Sequence, residues 1–115
     1  MNIEEARNYA LSLSSVTEDL FAENWISFRV KGKWFLLMQL DAPEPRVAVK
    51  LPPEEGILLR EQYQGITAAY HMNKQHWSDL YLDKLPDELI RELILNSYRL
   101  VVSKLPKSVQ KEIKE

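Results

Sequence analysis

The chain has 115 residues, a length that predicts one domain spanning residues 1–115. It contains no cysteine, which excludes disulfides, thiolate zinc sites and thiol catalysis. The formal net charge of −2 and the pI near 5.7 give no overall attraction to polyanions, so contact with nucleic acid requires a local basic face. No apolar run approaches the roughly 20 residues of a membrane span, and the amino terminus lacks the layout of a signal peptide. We therefore expect a cytoplasmic protein without membrane contact.

The first half of the chain predicts one helix followed by strands. Asn2 and Glu5 have the spacing of a capping box, and apolar residues then recur at three- and four-residue steps, which predicts a helix at about residues 3–13. The alternation in WISFRV predicts a strand, KGK can turn the chain, and WFLLMQL is predicted to return as a second strand. The prolines of DAPEP indicate a loop before another alternating strand, RVAVKL.

The second half predicts two longer helices separated by one or two strands. Pro52 and Pro53 suit a helix start, and this helix is predicted to extend to about Tyr63. WSDLYL follows as a strand, and Pro86 then opens a strongly amphipathic helix that ends before Pro106. A short terminal helix is predicted after it. The order predicts an α+β two-layer sandwich, with an antiparallel sheet and helices packed on one face.

The turn at KGK decides which side chains share a face of the predicted sheet. A two-residue turn assigns to a core face Ile26, Phe28, Val30, Phe35, Leu37, Val47, Val49 and Leu51. It assigns to the other face Trp25, Ser27, Arg29, Lys31, Trp34, Leu36, Met38, Arg46, Ala48 and Lys50. Cations beside tryptophans favour binding of phosphates and bases. The alternative is an ordinary outward surface, in which cations block edge pairing or a loop covers the apolar residues.

The segment AYHMNKQHW contains both histidines of the chain. His71 and His76 are five residues apart, whereas one helix face would need four, so the spacing does not favour a metal site. Ser78 lacks the sequence context of an activated nucleophile. The three glycines are scattered and form no phosphate-binding loop, so no cofactor is expected.

Two interpretations of this segment stay open. In the first, Asn73 and Lys74 form a turn while Tyr70, Met72 and Trp77 pack. In the second, a polar surface presents hydrogen-bond donors to an anionic ligand from His71, Asn73, Lys74 and His76.

ITAAYHMNKQHW, followed by LPDELIRELILNSYRLVVSKLP, resembles the MmcQ/YjbR family of small bacterial proteins. ISFRVKGKWFLLM and RVAVKLPPEEGILLREQY occur in the order of that family's segments. The positions that match the family pattern are the KGK hairpin and Tyr70, His71, Met72, Asn73, Lys74, His76 and Trp77. The resemblance implies a frataxin-like (CyaY-like) fold. Members of the family carry the label of DNA-binding proteins, with a proposed double-winged mode of DNA binding. The acidic ridge of frataxins is reduced here to Glu4 and Glu5, so iron binding is not carried over.

The leading hypothesis is therefore a non-enzymatic DNA-binding module that acts as a monomer. Its phosphate contacts would come from Arg29, Lys31, Arg46, Lys50 and Lys74. Its polar contacts would come from His71, Asn73 and His76, with Trp25 or Trp34 stacking on bases. The alternative is a protein, or an enzyme, that binds a small anionic metabolite beside the His71–His76 segment, in a pocket lined by Tyr70, His71 and Trp77. A third possibility is a protein-interaction module that uses the apolar part of the same sheet face.

Overall fold

The computed structural model describes residues 1–69 and 72–113. The helices in this part of the chain are α1 (Ile3–Ser12), α2 (Pro53–Gln62), α3 (Asp87–Ser103) and α4 (Lys107–Gln110). The strands are β1 (Val16–Ala22), β2 (Trp25–Val30), β3 (Lys33–Gln39), β4 (Arg46–Lys50), β5 (Ile66–Ala68) and β6 (Trp77–Tyr81). The predicted helices and the predicted strands β2, β3, β4 and β6 are confirmed. None of the helices in the described ranges is both long and apolar enough to cross a membrane.

The strands form one six-stranded antiparallel sheet in the order β1-β2-β3-β4-β6-β5. The largest apolar cluster lies between this sheet and the helices, with α1 and α3 contributing buried side chains and α2 contributing Leu59 at its margin. This packing confirms the predicted α+β class with an antiparallel sheet. We call the sheet surface on the other side the open face.

Capping and close approach explain how α1 and α2 are positioned. The side chain of Asn2 accepts a hydrogen bond from the amide of Glu5, and the Glu5 carboxylate accepts one from the amide of Asn2, as the predicted capping box requires. Helix α2 includes the buried Gly56, where an added Cβ would lie 3.2 Å from Arg60 Nη1 and 3.6 Å from Ser78 Oγ. Gly56 therefore lies at the contact between α2 and β6, where Arg60 donates to Ser78 Oγ at 2.9 Å.

Strand β1 is the element that the sequence analysis did not identify. It pairs with β2 from Val16 opposite Val30 to Ala22 opposite Trp25, with a register shift between Leu20 and Ala22. Most of its side chains are exposed or half-buried, as expected of an edge strand. Alternation is therefore weak in VTEDLFA, and pairing with β2 decides its conformation.

The hairpin between β2 and β3 has the predicted two-residue turn. Val30 pairs with Lys33, and both turn residues have positive φ, 50° at Lys31 and 81° at Gly32. Such a turn matches the right-handed twist of the two strands.

Beyond the turn, β3 contains one residue more than β2. Arg29 pairs with Trp34 and Phe28 pairs with Leu36, so Phe35 has no partner on β2. This is a β-bulge, which shifts the alternation of side chains along the bulged strand by one position.

The bulge corrects the predicted faces of β3. Leu36 and Met38 were assigned to the face of the tryptophans, and Leu37 to the core face; both assignments are wrong. Leu36 and Met38 pack in the large cluster beneath the helices, whereas Leu37 packs on the open face. The register places on the open face, as predicted, Trp25, Ser27, Arg29, Trp34, Arg46, Ala48 and Lys50.

A buried serine of α3 links β3 and β4 at the bulge. The register that pairs Leu36 with Val49 would next pair Phe35 with Lys50. Instead, Ser97 Oγ donates to the carbonyl of Phe35 at 2.5 Å and accepts from the amide of Lys50 at 2.8 Å. The carbonyl of Phe35 and the amide of Lys50 therefore hydrogen-bond to the hydroxyl instead of pairing in the ladder between β3 and β4.

We predict that Ser97→Ala lowers the free energy of unfolding by about 1–3 kcal/mol, because it leaves a buried carbonyl and a buried amide without their partner. Urea denaturation measures this change. The matched control is Ser103→Ala, on the same helix, where the exposed hydroxyl bonds only the carbonyl of Leu100. Equal effects of the two substitutions would show that the bridge contributes nothing specific.

An ion pair attaches α1 to the edge of the sheet. Arg7 Nε and Nη2 donate to the two carboxylate oxygens of Glu18 on β1, at 2.8 and 2.5 Å. Hydrogen bonding from Arg7 holds the pKa of Glu18 below its ordinary value of 4.5.

Because the pKa of Glu18 is lowered in the folded state, the pair contributes stability above the ordinary carboxyl pKa and loses it as the pH falls through the lowered value. We therefore predict that Glu18→Gln is less stable than the wild type at pH 7 and that the difference disappears in acid. Thermal unfolding between pH 7 and 3 measures it, with Glu92→Gln on the exposed side of α3 as the control. A difference that stays constant over this range would contradict the linkage.

Candidate functional site

The open face is partly covered by the chain itself. Its buried apolar residues are Leu37, Ala48 and Trp77, and Ala69 and the half-buried Met72 pack against them from the segment between β5 and β6. The alternative of a covering loop is therefore correct for the middle of this face. Exposed or half-buried side chains remain around that covered centre.

Arg29 lies on the open face beside a tryptophan and an acid. Its Nε is 3.3 Å from Ser27 Oγ and 3.8 Å from a carboxylate oxygen of Asp19, and its Cζ lies 5.8 Å from the ring centroid of Trp34. The geometry fits a cation over an aromatic ring, with the positive charge balanced by a strand neighbour.

Arg46 and Lys31 also have carboxylate partners. Arg46 Nη2 donates to Gln39 Oε1 at 3.1 Å, and its Nε lies 4.0 Å from a carboxylate oxygen of Asp79. Lys31 Nζ lies 3.8 Å from a carboxylate oxygen of Glu112. These two cations and Arg29 therefore do not form a continuous basic strip.

The histidine segment is organised as a turn by its backbone. Tyr70 and His71 lie outside the described residues. Asn73 Oδ1 accepts from the amide of Gln75 at 3.0 Å, and the Asn73 carbonyl accepts from the amides of His76 and Trp77 at 3.1 and 2.9 Å. The His76 carbonyl accepts from the amide of Leu51 at 2.8 Å. Asn73 and His76 thus fix the start of β6 through their polar groups, as in the turn interpretation.

Lys74 lies in the turn before β6. It lines a cavity of 420 Å³ between α2, β5 and the turn, together with Arg60. The other residues around this cavity are Pro53, Ile57, Ala68 and Gln75. Of the described residues that line this cavity, Lys74 is the one cation that the sequence analysis predicted to bind phosphate.

A larger cavity of 660 Å³ lies where the β2–β3 hairpin, the end of β4 and the last turns of α3 meet. Its cations are Lys33, Lys50 and Lys104. Its remaining walls are Gly32, Trp34, Trp77, Leu100, Val101 and Leu105. We call this site the lysine–tryptophan cavity.

The fold builds this cavity from the interruption at the bulge. Pairing between β3 and β4 reaches Leu36 and Val49, and Ser97 then stands between the two strands. The residues beyond that point on each strand, Trp34 and Lys50, line the cavity. Lys50 pairs with Trp77 of β6 on its other side, which places the second indole in the same wall.

The cavity is electropositive. Among the described residues, no carboxylate forms an ion pair with Lys33, Lys50 or Lys104. Three ammonium groups around one concavity attract anions, and low-dielectric walls strengthen that attraction. Lys50 and Trp77 were predicted site residues, whereas Lys33 and Lys104 were missed. The signals available in the sequence were that Lys33 is the last residue of KGK and that Lys104 lies at the end of the amphipathic helix.

A second concavity on the open face is mainly aromatic. It has a volume of 350 Å³ and is lined by Phe21, Ala22, Trp25, Trp34, Gln39 and Met72. The Phe21 ring lies 4.9 Å from that of Trp34 and 5.9 Å from that of Trp25, centroid to centroid. We call it the aromatic pocket; Trp34 lines both it and the lysine–tryptophan cavity.

Sequence comparison identifies full-length relatives of this chain. It is 34% identical over 113 residues to the uncharacterized protein YbdF of Escherichia coli, covering 96% of this chain and 93% of the relative. It is 32% identical over 114 residues to the uncharacterized protein YjbR of Escherichia coli, covering 96% of both chains.

Solved structures resemble the fold over most of its length. The crystal structure of a Deinococcus radiodurans protein with the DUF419 domain matches with a TM-score of 0.91 and 31% identity, over 96% of this chain and 86% of the other. A Pseudomonas syringae protein matches with a TM-score of 0.75 and 28% identity, over 87% and 98%. Residues 11–100 match the family model described as YjbR. The chain therefore belongs to the YjbR family, which the residues around the histidine segment had indicated.

Proposed function

We propose that this protein is a non-enzymatic module that binds a small anionic ligand in the lysine–tryptophan cavity. The observation that carries the proposal is the convergence of Lys33, Lys50 and Lys104 on one concavity, without an ion pair to a carboxylate among the described residues. Lysines are point charges that suit phosphate and carboxylate groups.

The size of the cavity and the location of the cations favour a small ligand. The cavity volume of 660 Å³ falls in the usual range of about 300–1,000 Å³ for small-molecule sites. Outside it, Arg29, Lys31 and Arg46 already lie near carboxylates, which reduces their attraction for an extended polyanion. This site differs from the pocket expected beside the His71–His76 segment, with which it shares Trp77.

Two further features accompany the proposal. The polar groups of Asn73 and the backbone of His76 are used in holding the turn before β6, which favours binding over catalysis at this segment. The six-stranded antiparallel sheet with its helix layer supports our proposal that the α+β fold is frataxin-like (CyaY-like).

We predict that inorganic pyrophosphate raises the melting temperature of the wild type at constant ionic strength, because a ligand that binds only the folded state stabilises it. Lys50→Met keeps an unbranched side chain but removes the ammonium group, and it should weaken pyrophosphate binding by about tenfold, or about 1.4 kcal/mol. Differential scanning fluorimetry and isothermal titration calorimetry measure the two effects.

Lys84→Met is the matched control, since it changes the net charge equally. Lys84 lies beside Glu44 and Tyr81 rather than in the cavity, so this variant should bind pyrophosphate like the wild type. If both substitutions weakened pyrophosphate binding equally, the affinity would depend only on the net charge of the protein, and the proposed site would be wrong.

DNA binding is the second candidate function. It is supported by the exposure of Lys33 and Lys104, which would let a nucleic-acid strand place a phosphate between them without entering the cavity completely. Arg29 would add a contact on the open face.

For this candidate, replacing Arg29 and Lys50 together by alanine should lower the affinity for a fluorescent DNA duplex. The slope of log affinity against log salt concentration should flatten by about 0.9 for each lost phosphate contact. Fluorescence anisotropy between low and moderate salt measures both quantities. Binding by the wild type that does not change with salt would count against DNA as the ligand.

A further inference from the structure

The lysine–tryptophan cavity has two chemically distinct parts. Lys33, Lys50 and Lys104 supply positive charge. The second part is apolar and is provided by two indoles, by the last turn of α3 and by the residues just after it, namely Trp34, Trp77, Leu100, Val101 and Leu105. A bare anion would use the first part and leave the second part in contact with water. The lining therefore indicates a ligand that carries an apolar body next to its charge.

The volume of the cavity gives the same indication. Its 660 Å³ is far more than the few atoms of a phosphate occupy. A phosphate joined to a ring system fills such a space much better.

Two neighbours hold the indole of Trp34 in place in the cavity wall. Phe21 packs against its indole with centroids 4.9 Å apart, and the guanidinium carbon of Arg29 lies 5.8 Å from the indole centroid. Trp34 is half-buried and lines the cavity, whereas the second indole, that of Trp77, is only 7% exposed. An aromatic ring fixed before binding loses little entropy when a planar ring stacks on it.

We propose that the lysine–tryptophan cavity binds a nucleotide unit, with its phosphate at the lysines and its base against Trp34. This inference rests on the proposed anion binding and specifies the class of ligand. The unit can come from a free mononucleotide or from one nucleotide of a DNA strand. Both sources carry the same phosphate and the same planar base.

The experiment separates the contributions of phosphate and base with four probes. Adenosine 5′-monophosphate, ribose 5-phosphate, adenosine and sodium phosphate are titrated by calorimetry into the wild type at constant ionic strength. We expect the mononucleotide to bind about tenfold more tightly than ribose 5-phosphate, because it adds one stacked base. We expect adenosine to bind more weakly than the mononucleotide, because it lacks the phosphate.

Two variants assign the contributions to residues. Trp34→Leu should remove the tenfold advantage of the mononucleotide while leaving the affinity for ribose 5-phosphate unchanged. Lys50→Met should weaken both ligands equally. Trp25→Leu is the matched control, because Trp25 lines the aromatic pocket but not the lysine–tryptophan cavity, and it should retain the full advantage. Circular dichroism checks the folding of each variant, and the comparison of the four probes on the wild type decides the inference if Trp34→Leu does not fold.

The outcomes distinguish the two proposals. If ribose 5-phosphate binds as tightly as the mononucleotide, the nucleotide inference is overturned and the anion proposal survives. If none of the phosphate-bearing probes binds, both are overturned. A single-stranded DNA of about twelve nucleotides tests the source. Tighter, salt-sensitive binding of this strand supports a DNA source, and equal affinity with the mononucleotide supports a free ligand.

Discussion

The hydrogen bonds of the Ser97 hydroxyl determine how β3, β4 and α3 are arranged around the lysine–tryptophan cavity. This hydroxyl occupies the position where β3 and β4 would otherwise hydrogen-bond directly, and it comes from the helix that covers the sheet. One buried side chain therefore ends the pairing of two central strands and satisfies the carbonyl of Phe35 and the amide of Lys50. The same contact fixes α3 relative to the sheet, so that the last turns of the helix close the cavity.

The bulge at Phe35 complements this contact. An extra residue in β3 turns both Phe35 and Leu36 toward the helices and leaves Trp34 on the other face. A regular strand would alternate strictly and would carry either the tryptophan or the following aliphatic residues on the wrong side. The irregularity thus allows the sequence WFLLM to supply a large core and an aromatic wall from one strand.

Much of the fold follows from local signals in the sequence. The capping box of α1, the prolines before α2 and α3, and the two-residue turn at Lys31 and Gly32 each act through their own backbone, so they are visible without tertiary contacts. The bulge is not visible, because no residue type specifies it and Ser97 is 62 residues distant from Phe35. The edge strand β1 was missed because its pattern is weak and its pairing is with β2.

The candidate site was only partly predictable for the same reason. Lys50 was recognised from the composition of a sheet face and Trp77 from the histidine segment, but Lys104 caps the end of a helix that meets the sheet only in three dimensions. The indole of Trp34 lines both the lysine–tryptophan cavity of 660 Å³ and the aromatic pocket of 350 Å³. Because one indole forms part of both walls, replacing Trp34 by a smaller side chain would change the shape of both sites at once.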